Sequence, residues 1–421
     1  MNDAVVIGGG LAGITAALDL ADAGREVTLL EARPRLGGAT FSVERDGMWV
    51  DNGQHVFLRC CTAYRALLDR IGATGRTELQ ERLAIPVIRP GGRISWLRRT
   101  SLPAPLHLGA SIARFGPLPP ADRARLLPAL VALRRLSLDD PSLDQQTFGE
   151  WLQQHGQRPS SFEGLWDLFT LPTLNLDSER ASLALGAMVF KVGMLEDAGA
   201  SDVGYATVPL QQVHGDTAEH ALTTAGVDVQ VKARVRSLDD VDAKTIVLAV
   251  PHEEAAELLP DGALPAGVDP RALGVSPIVN LHVVYDRQVM EHVFAAAVGS
   301  PVQWVFDRTG SSGVREGQYL AISLSGADGF DARTSDELRD EFVPALAELF
   351  PAASTAEIVS FFVTREPRAT FRGVPGTARH RPGPVTDVPG LFLAGAWTDT
   401  GWPATMEGAV RSGHAAAEAA R

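Results

Sequence analysis

The sequence predicts an α/β protein: a Rossmann-type domain with an α+β region inserted into it. Three observations carry this. The β-branched run Val5-Val6-Ile7 leads straight into Gly8-Gly9-Gly10-Leu11-Ala12-Gly13, the glycine spacing that turns a strand tightly into a helix. A second apolar run, Val27-Thr28-Leu29-Leu30, ends in an acid, Glu31. Toward the other end, Gly390-Leu391-Phe392-Leu393-Ala394-Gly395 reads as a buried strand ending in glycine, ahead of a helix expected from Thr405 to Ala420.

At 421 residues the chain is too long for one simple core and suits two intertwined domains. Its 45% hydrophobic and 21% charged residues are ordinary for a soluble globular enzyme. A net charge of −13 argues against a nucleic-acid partner, since phosphate rewards a basic surface. Cys60 and Cys61 are the only cysteines; adjacent in sequence and without metal-ligand spacing, they give no expectation of a structural disulfide or a metal site. A reducing, cytoplasmic compartment is expected. No apolar run approaches the roughly 20 residues that span a bilayer. The strand at Val5 leaves no signal peptide to expect, so any membrane contact would be peripheral.

The first unit assigns a task to each glycine. Gly8 permits the tight turn, Gly10 lets backbone approach a pyrophosphate, and Gly13 lets the helix pack close to the strand. The helix is expected from Leu11 to Ala23, with Ile14, Ala17, Leu18 and Leu20 as its apolar stripe and its free N–H groups aimed at phosphate. Glu31 is placed to accept the hydroxyls of an adenosine ribose and to disfavour a 2′-phosphate.

Beyond Glu31 come Arg35-Leu36-Gly37-Gly38 and Gly47-Met48-Trp49-Val50-Asp51-Asn52-Gly53. This extended pattern resembles the amine oxidase and phytoene desaturase superfamily of flavoproteins. The resemblance implies a Rossmann-type FAD-binding domain, glutathione-reductase-like, with an inserted α+β substrate domain. It implies FAD, with Gly37-Gly38 and the nearby arginine lying along the pyrophosphate and ribityl chain, where missing Cβ atoms give room. It also makes 398–409 a flavin-closing segment, with the last helix pointing its N-terminus at the ring. The family often has an acid where this chain has Ala396; Asp399 is the candidate substitute. Gly226–Val231, Arg234–Ser237 and Thr245–Pro251 read as strands, with the backbone of Val235 implied to pack on adenine. The cofactor-binding set expected on this basis is Gly8, Gly10, Leu11, Ala12, Gly13, Glu31, Ala32, Arg33, Arg35, Gly37, Gly38, Asn52, Gly53, Gln54, His55, Val235, Gly395, Trp397, Trp402, Ala404, Thr405 and Met406.

Asp51-Asn52-Gly53-Gln54-His55, Trp166–Asn175, Arg365–Phe371 and Trp397–Gly413 are similar to the squalene-associated FAD-dependent desaturases. Members of that group act as hydroxysqualene dehydroxylases in bacterial squalene and hopanoid synthesis. The stretch 196–216 departs from the group's pattern. The implied reaction breaks an allylic C–O bond, with a proton donor for the leaving hydroxyl and an apolar pocket shielding the cation. His55 is the candidate acid, or else a hydrogen bond to cofactor or backbone. Asn175 would orient the hydroxyl, or else cap a helix. Trp402 reads as a wall beside the ring or as core. Lys191 is the lysine an amine oxidase could hold near the flavin. With no second Gly-x-Gly-x-x-Gly turn for a nicotinamide, an external electron donor is expected. The alternatives are a carotenoid-type desaturase, a flavin amine oxidase (four tyrosines make a two-tyrosine cage less favoured) and a flavin-binding scaffold.

The FAD-binding domain is expected in three parts, 1–58, 205–273 and 360–421, and the substrate domain in two, 59–204 (helical) and 274–359. Strands are expected at Ile278–Tyr285 and Tyr319–Leu324, and a helix at Thr334–Phe350. Between 89 and 135 lie nine arginines and one acid, Asp122, interleaved with apolar residues. That pattern suits docking on anionic lipid, on the inner face of the cytoplasmic membrane, and a substrate arriving from the bilayer; the alternative is a helical hairpin whose arginines pair with acids elsewhere.

Overall fold

The computed structural model describes residues 2–421. Five parallel strands form the Rossmann sheet: β1 (Asn2–Ile7), β2 (Val27–Glu31), β10 (Asp228–Val231), β11 (Ala243–Leu248) and β17 (Leu391–Leu393), in the order β10-β2-β1-β11-β17. β1 is apolar on both sides because both sides are covered. Ala4 and Val6 pack with α1 (Leu11–Asp22) and the C-terminal helix Met406–Ala419, while Val5 and Ile7 face a second cluster with Leu248 and Leu393. The two helices touch backbone to backbone: a Cβ on Gly413 would lie 2.3 Å from the Ala12 carbonyl oxygen. The expected strand at Arg234–Ser237 does not form. After β10 the amides of Lys232 and Ala233 bond the carbonyls of Arg33 and Glu31, and the chain then leaves the sheet.

A second, mixed sheet has seven strands: β7 (Ala84–Arg89), β8 (Arg93–Arg98), β12 (Val275–Tyr285), β13 (Phe294–Ala297), β14 (Trp304–Asp307), β15 (Gln318–Ser325) and β16 (Ile358–Phe371), in the order β16-β12-β15-β14-β13-β7-β8. Two expectations are corrected here. The boundary at 360 falls inside β16, which pairs with β12 as far as Phe371. The segment 59–204 is not purely helical, because β7 and β8 form a hairpin that adds to this sheet. Smaller sheets take β3 (Ser42–Arg45) with β4 (Met48–Asp51), and β5 (Val56–Leu58) with β6 (Thr77–Leu79) and β9 (Val203–Ala206).

β12 carries the link between the two halves. Its odd residues Val279, Leu281, Val283 and Tyr285 pack with Leu338, Phe342 and Leu346 of helix Ser335–Leu349, whose start is fixed by a Thr334–Glu337 capping box. Its even residues point the other way. Ser276, Asn280 and His282 are fully buried polar groups there, and each must find a partner.

Candidate functional site

The N-terminal turn is dictated by backbone. Gly8 has φ +111°, and a Cβ on it would lie 2.3 Å from the Ala249 carbonyl oxygen; one on Gly13 would lie 1.9 Å from the Gly8 carbonyl oxygen. Gly10 begins α1 with no side-chain cap. The first backbone bond of the helix is from Ile14 to Gly10, so the N–H groups of Leu11, Ala12 and Gly13 are left for an anion. The second glycine pair meets the first. Gly37 donates to the Gly9 carbonyl, and a Cβ on Gly38 would lie 2.7 Å from Gly10 Cα. Glu31 braces this cradle: one carboxylate oxygen accepts from Gly9 N–H and the other from Arg33 N–H, both at 2.6 Å. Ala32 and Arg33 are exposed beside it. Arg35 lies 3.4 Å over the Phe41 ring, and burial lowers its pKa against the pull of Glu31. Val235, half-buried, makes no backbone hydrogen bond to another described residue.

The C-terminal segment closes over β11. Gly395, at φ +140°, accepts Trp397 close by, whose indole N–H donates to the Val250 carbonyl at 2.9 Å. Thr405 caps the last helix through Gly408 N–H, with Ala404 and Met406 half-buried at its start. Trp402 faces the Arg411 guanidinium at 5.0 Å. Asp399, the candidate for the acid missing at Ala396, is exposed and accepts from Gly401 N–H in its own turn. Arg381 went unread in the sequence. It is buried and donates to the carbonyls of Trp397, Thr398 and Trp402, which ties the loop together; burial lowers its pKa to about 10. Glu407, also unread, is buried. It accepts from Ala63 and Tyr64 N–H at the start of α2 (Thr62–Arg70) and from Arg411.

Between these segments Asn52 is held from three sides: it accepts from Phe41 N–H, donates to the Ala39 carbonyl, and its own carbonyl receives Asn280 Nδ2 at 2.9 Å. Behind Gly53 lies a small cavity lined by Asp51, Gln54, His55, Val56, Tyr205, Ala206, Leu210, Phe306 and Arg308. Asp51 accepts from Ser42 and Leu210 and pairs with Arg308 at 2.7 Å; Arg308 also reaches the Ala206 carbonyl. Gln54 Nε2, His55 Nε2 and Arg308 Nε are buried atoms without a partner. His55 Nε2 would lie 3.2 Å from a Cβ on Gly53. Burial pushes its pKa down to about 4, opposed by the Asp51 carboxylate. Behind it, His214 is lowered to about 3, again by burial first and by His55 second, and its Nε2 meets the Tyr64 hydroxyl at 2.8 Å. Phe306 belongs to an aromatic group with Phe294 and Trp304, and Tyr205 packs on Phe294 with centroids 5.9 Å apart.

The structure thus brings together Gly8–Gly13, Glu31–Gly38 and Asn52, and sets Gln54 and His55 in one cavity with Arg308. Asn175 lies elsewhere. It ends helix Asp167–Leu174 at φ +53°, a conformation asparagine tolerates. Its Nδ2 donates to the Ser276 carbonyl and Thr370 Oγ1, and its Oδ1 accepts from Gly326 N–H. Those partners sit four residues, about 13 Å, further along β12 than Asn280. The helix-capping alternative describes its contacts, and both polar atoms of its amide are engaged in them. Lys191 is likewise engaged elsewhere: its Nζ donates to the Leu136 carbonyl at 2.5 Å and lies 3.9 Å from Glu196.

Comparison with known proteins agrees with this architecture. Hydroxysqualene dehydroxylase of Rhodopseudomonas palustris is 29% identical over 431 positions, covering 98% of this chain and 97% of that one. Zeta-carotene desaturase of a Synechocystis species is 25% identical over 477 positions, covering 98% and 96%. The solved structure of cyclohexylamine oxidase from Brevibacterium oxydans shares the fold, with a TM-score of 0.73 at 20% identity over 100% of this chain and 98% of that one. The model for flavin containing amine oxidoreductases matches residues 11–421, and the chain belongs to that family.

Proposed function

We propose that this chain binds FAD in the glycine cradle and reductively removes the hydroxyl of an allylic isoprenoid alcohol, converting hydroxysqualene to squalene. The fit to FAD rests on the uncapped start of α1, which offers three amides to a pyrophosphate, and on Glu31, whose carboxylate flanks the place of a ribose. The division into an FAD-binding part (1–58, 205–273 and the chain after β16) and a substrate part follows the two large sheets. Relatives named hydroxysqualene dehydroxylase in three bacteria align along essentially the whole chain.

The observation that carries the chemistry is His55 Nε2, buried and unpartnered at a small cavity that Val56, Leu210, Tyr205 and Phe306 line on one part and Gln54 and the Asp51–Arg308 pair on another. Reduced flavin, when bound, supplies the hydride that the substrate carbon accepts. The residues do the rest. His55 gives a proton to the departing hydroxyl, the C–O bond breaks, and water leaves; one hydride and one proton balance the exchange of OH for H. Tyr205 and Phe306 line the cavity and supply aromatic surface beside the allylic cation. With a pKa of about 4, His55 is neutral at pH 7 and its acid fraction grows about tenfold per pH unit down to that value. The Asp51 carboxylate opposes that lowering. The electrons come from an external donor, since the sequence offers one dinucleotide turn.

The test is an anaerobic single turnover: photoreduce the bound flavin, add hydroxysqualene, and follow flavin reoxidation while extracting squalene. Squalene formed in step with oxidised flavin is the expected result. A flavin that stays reduced overturns the proposal. The carotene desaturase relatives favour one second reading, the reverse redox direction; oxidised enzyme bleaching or colouring a polyene extract would support it. The donor is a separate reductase or free reduced flavin; rapid direct reduction by NADPH would overturn that part.

A further inference from the structure

We infer that β8, the loop 100–108 and α4 (Pro120–Arg135) form one surface that docks on an anionic lipid bilayer; the inference rests on the apolar-substrate reading above. Among the described residues, ten large hydrophobic side chains stand exposed, and five of them fall between 94 and 131: Ile94, Leu102, Leu106, Leu127 and Val131. The patch is built, not scattered. α4 is apolar on two sides. Leu126, Ala129 and Leu133 pack into the core, while Ala124, Leu127, Pro128 and Val131 repeat the spacing of a helical stripe on the outside. A surface helix that packs only inward would be polar there. β8 is an edge strand, and Ile94, Trp96 and Arg98 share one of its faces. The connecting loop is closed at its base by Thr100, which donates twice to the His107 carbonyl, and carries Leu102 and Leu106 outward. Ser111 of α3 (Gly109–Ala113) bonds the backbone of Arg98, and α3 packs on both β8 and α4, so the three pieces are continuous.

The arginines decide what covers this face. If all were structural, each would be tied to an acid or to backbone. Of the nine between 89 and 135, two pair with acids: Arg99 with Asp202 and Arg125 with Asp122. Arg89, Arg93 and Arg123 bond backbone carbonyls. Arg98 lies 3.7 Å over Trp96. Arg114, Arg134 and Arg135 are exposed and have no acidic partner among the described residues. Exposed cations in the same elements as exposed leucines, on a chain of net charge −13, complement an anionic headgroup layer over hydrocarbon. A second copy fits worse, because a two-fold contact would set arginines against arginines.

The test uses flavin-loaded full-length protein and vesicles of phosphatidylcholine with or without phosphatidylglycerol, in flotation. Wild type should float with the anionic vesicles, less so in high salt, and at least tenfold less with phosphatidylcholine alone. Leu102→Ser/Leu106→Ser/Leu127→Ser/Val131→Ser and, separately, Arg114→Gln/Arg134→Gln/Arg135→Gln should each lower partitioning at least tenfold while keeping flavin content and Tm. Wild type remaining in the aqueous phase, or the leucine variant floating like wild type, overturns the inference. So does a dimer in sedimentation velocity that the leucine variant dissociates, which would give the face to a second copy. Flotation needs no substrate, so it stands apart from a failure of the dehydroxylation reading.

Discussion

The glycine cradle and the cavity behind Gly53 are built by opposite means. The cradle is backbone against backbone: Gly8, Gly37 and Gly38 hold positive φ, and Gly10 meets Gly38 without side chains between them. The cavity is side chain against side chain, and its central pair, Asp51 and Arg308, is 257 positions apart in sequence. A requirement on backbone conformation admits few residue types. A requirement on contact admits many, provided the partner arrives.

The comparison breaks most sharply at Gly38. Gly38→Val forces a β-branched residue into a left-handed conformation and drives its Cβ into Gly10. The variant should purify colourless, with no flavin absorbance after desalting. Gly24→Ala also places a side chain at positive φ, +80°, but meets nothing within 4 Å; it should stay yellow and lose about 1 kcal/mol. Equal flavin loss in both would mean that backbone strain alone, not the closeness of the two loops, governs the cradle.

On the cavity side, the largest effect should come from Arg308→Met. Asp51 would then be a buried carboxylate with its cation removed, at a cost of about 3–5 kcal/mol in urea denaturation. Asp51→Asn/Arg308→Met together should recover part of that. If the single variant is as stable as wild type, the pair does not hold the cavity.

This contrast also explains what could be read in advance. The strand–turn–helix unit, the glycine pair, β12, β15 and the helix from Ser335 were legible because each is written in local residue types: β-branched runs, glycines at fixed spacing, and Leu338, Phe342, Leu346 and Leu349 at helical spacing. The strand expected at Arg234–Ser237 was not, since its β-branched look carries no information on whether a neighbour is there to pair with. Arg308, Arg381 and Glu407 were invisible for the same reason. The signal for Asn280 and His282 was present, as polar residues on the even positions of an apolar strand, but it identifies a face in need of partners and not the partners themselves.

His55 and Asn175, read alike from the sequence, separate the two kinds of role. His55→Phe, which preserves bulk, should lower the single-turnover rate about 10²-fold or more with flavin content and stability little changed. Asn175→Ala should do the reverse, since it strands Gly326 N–H and Ser276 and Thr370 groups. A loss of roughly 2–4 kcal/mol in denaturation is expected, with the rate per bound flavin within about threefold of wild type. A rate collapse in well-folded Asn175→Ala would return that residue to the reaction.

The last contrast concerns pH. His55, His214 and His282 all have folded-state values pushed below the ordinary 6.5 by burial, to about 4, about 3 and about 3. The unfolded chain therefore binds more protons between pH 6.5 and those values, so stability rises with pH across that window and is lost as pH falls through it. Each imidazole contributes about 1.4 kcal/mol per pH unit while it alone is charged in the unfolded chain. Denaturation midpoints should hold from pH 8 to 7 and decline steadily from 6.5 to 4. His282→Gln, which keeps hydrogen-bonding capacity toward Tyr319 and Thr364, should flatten the decline by one imidazole's share. An unchanged slope would mean that His282 gains its proton in the folded chain without opening the sheet.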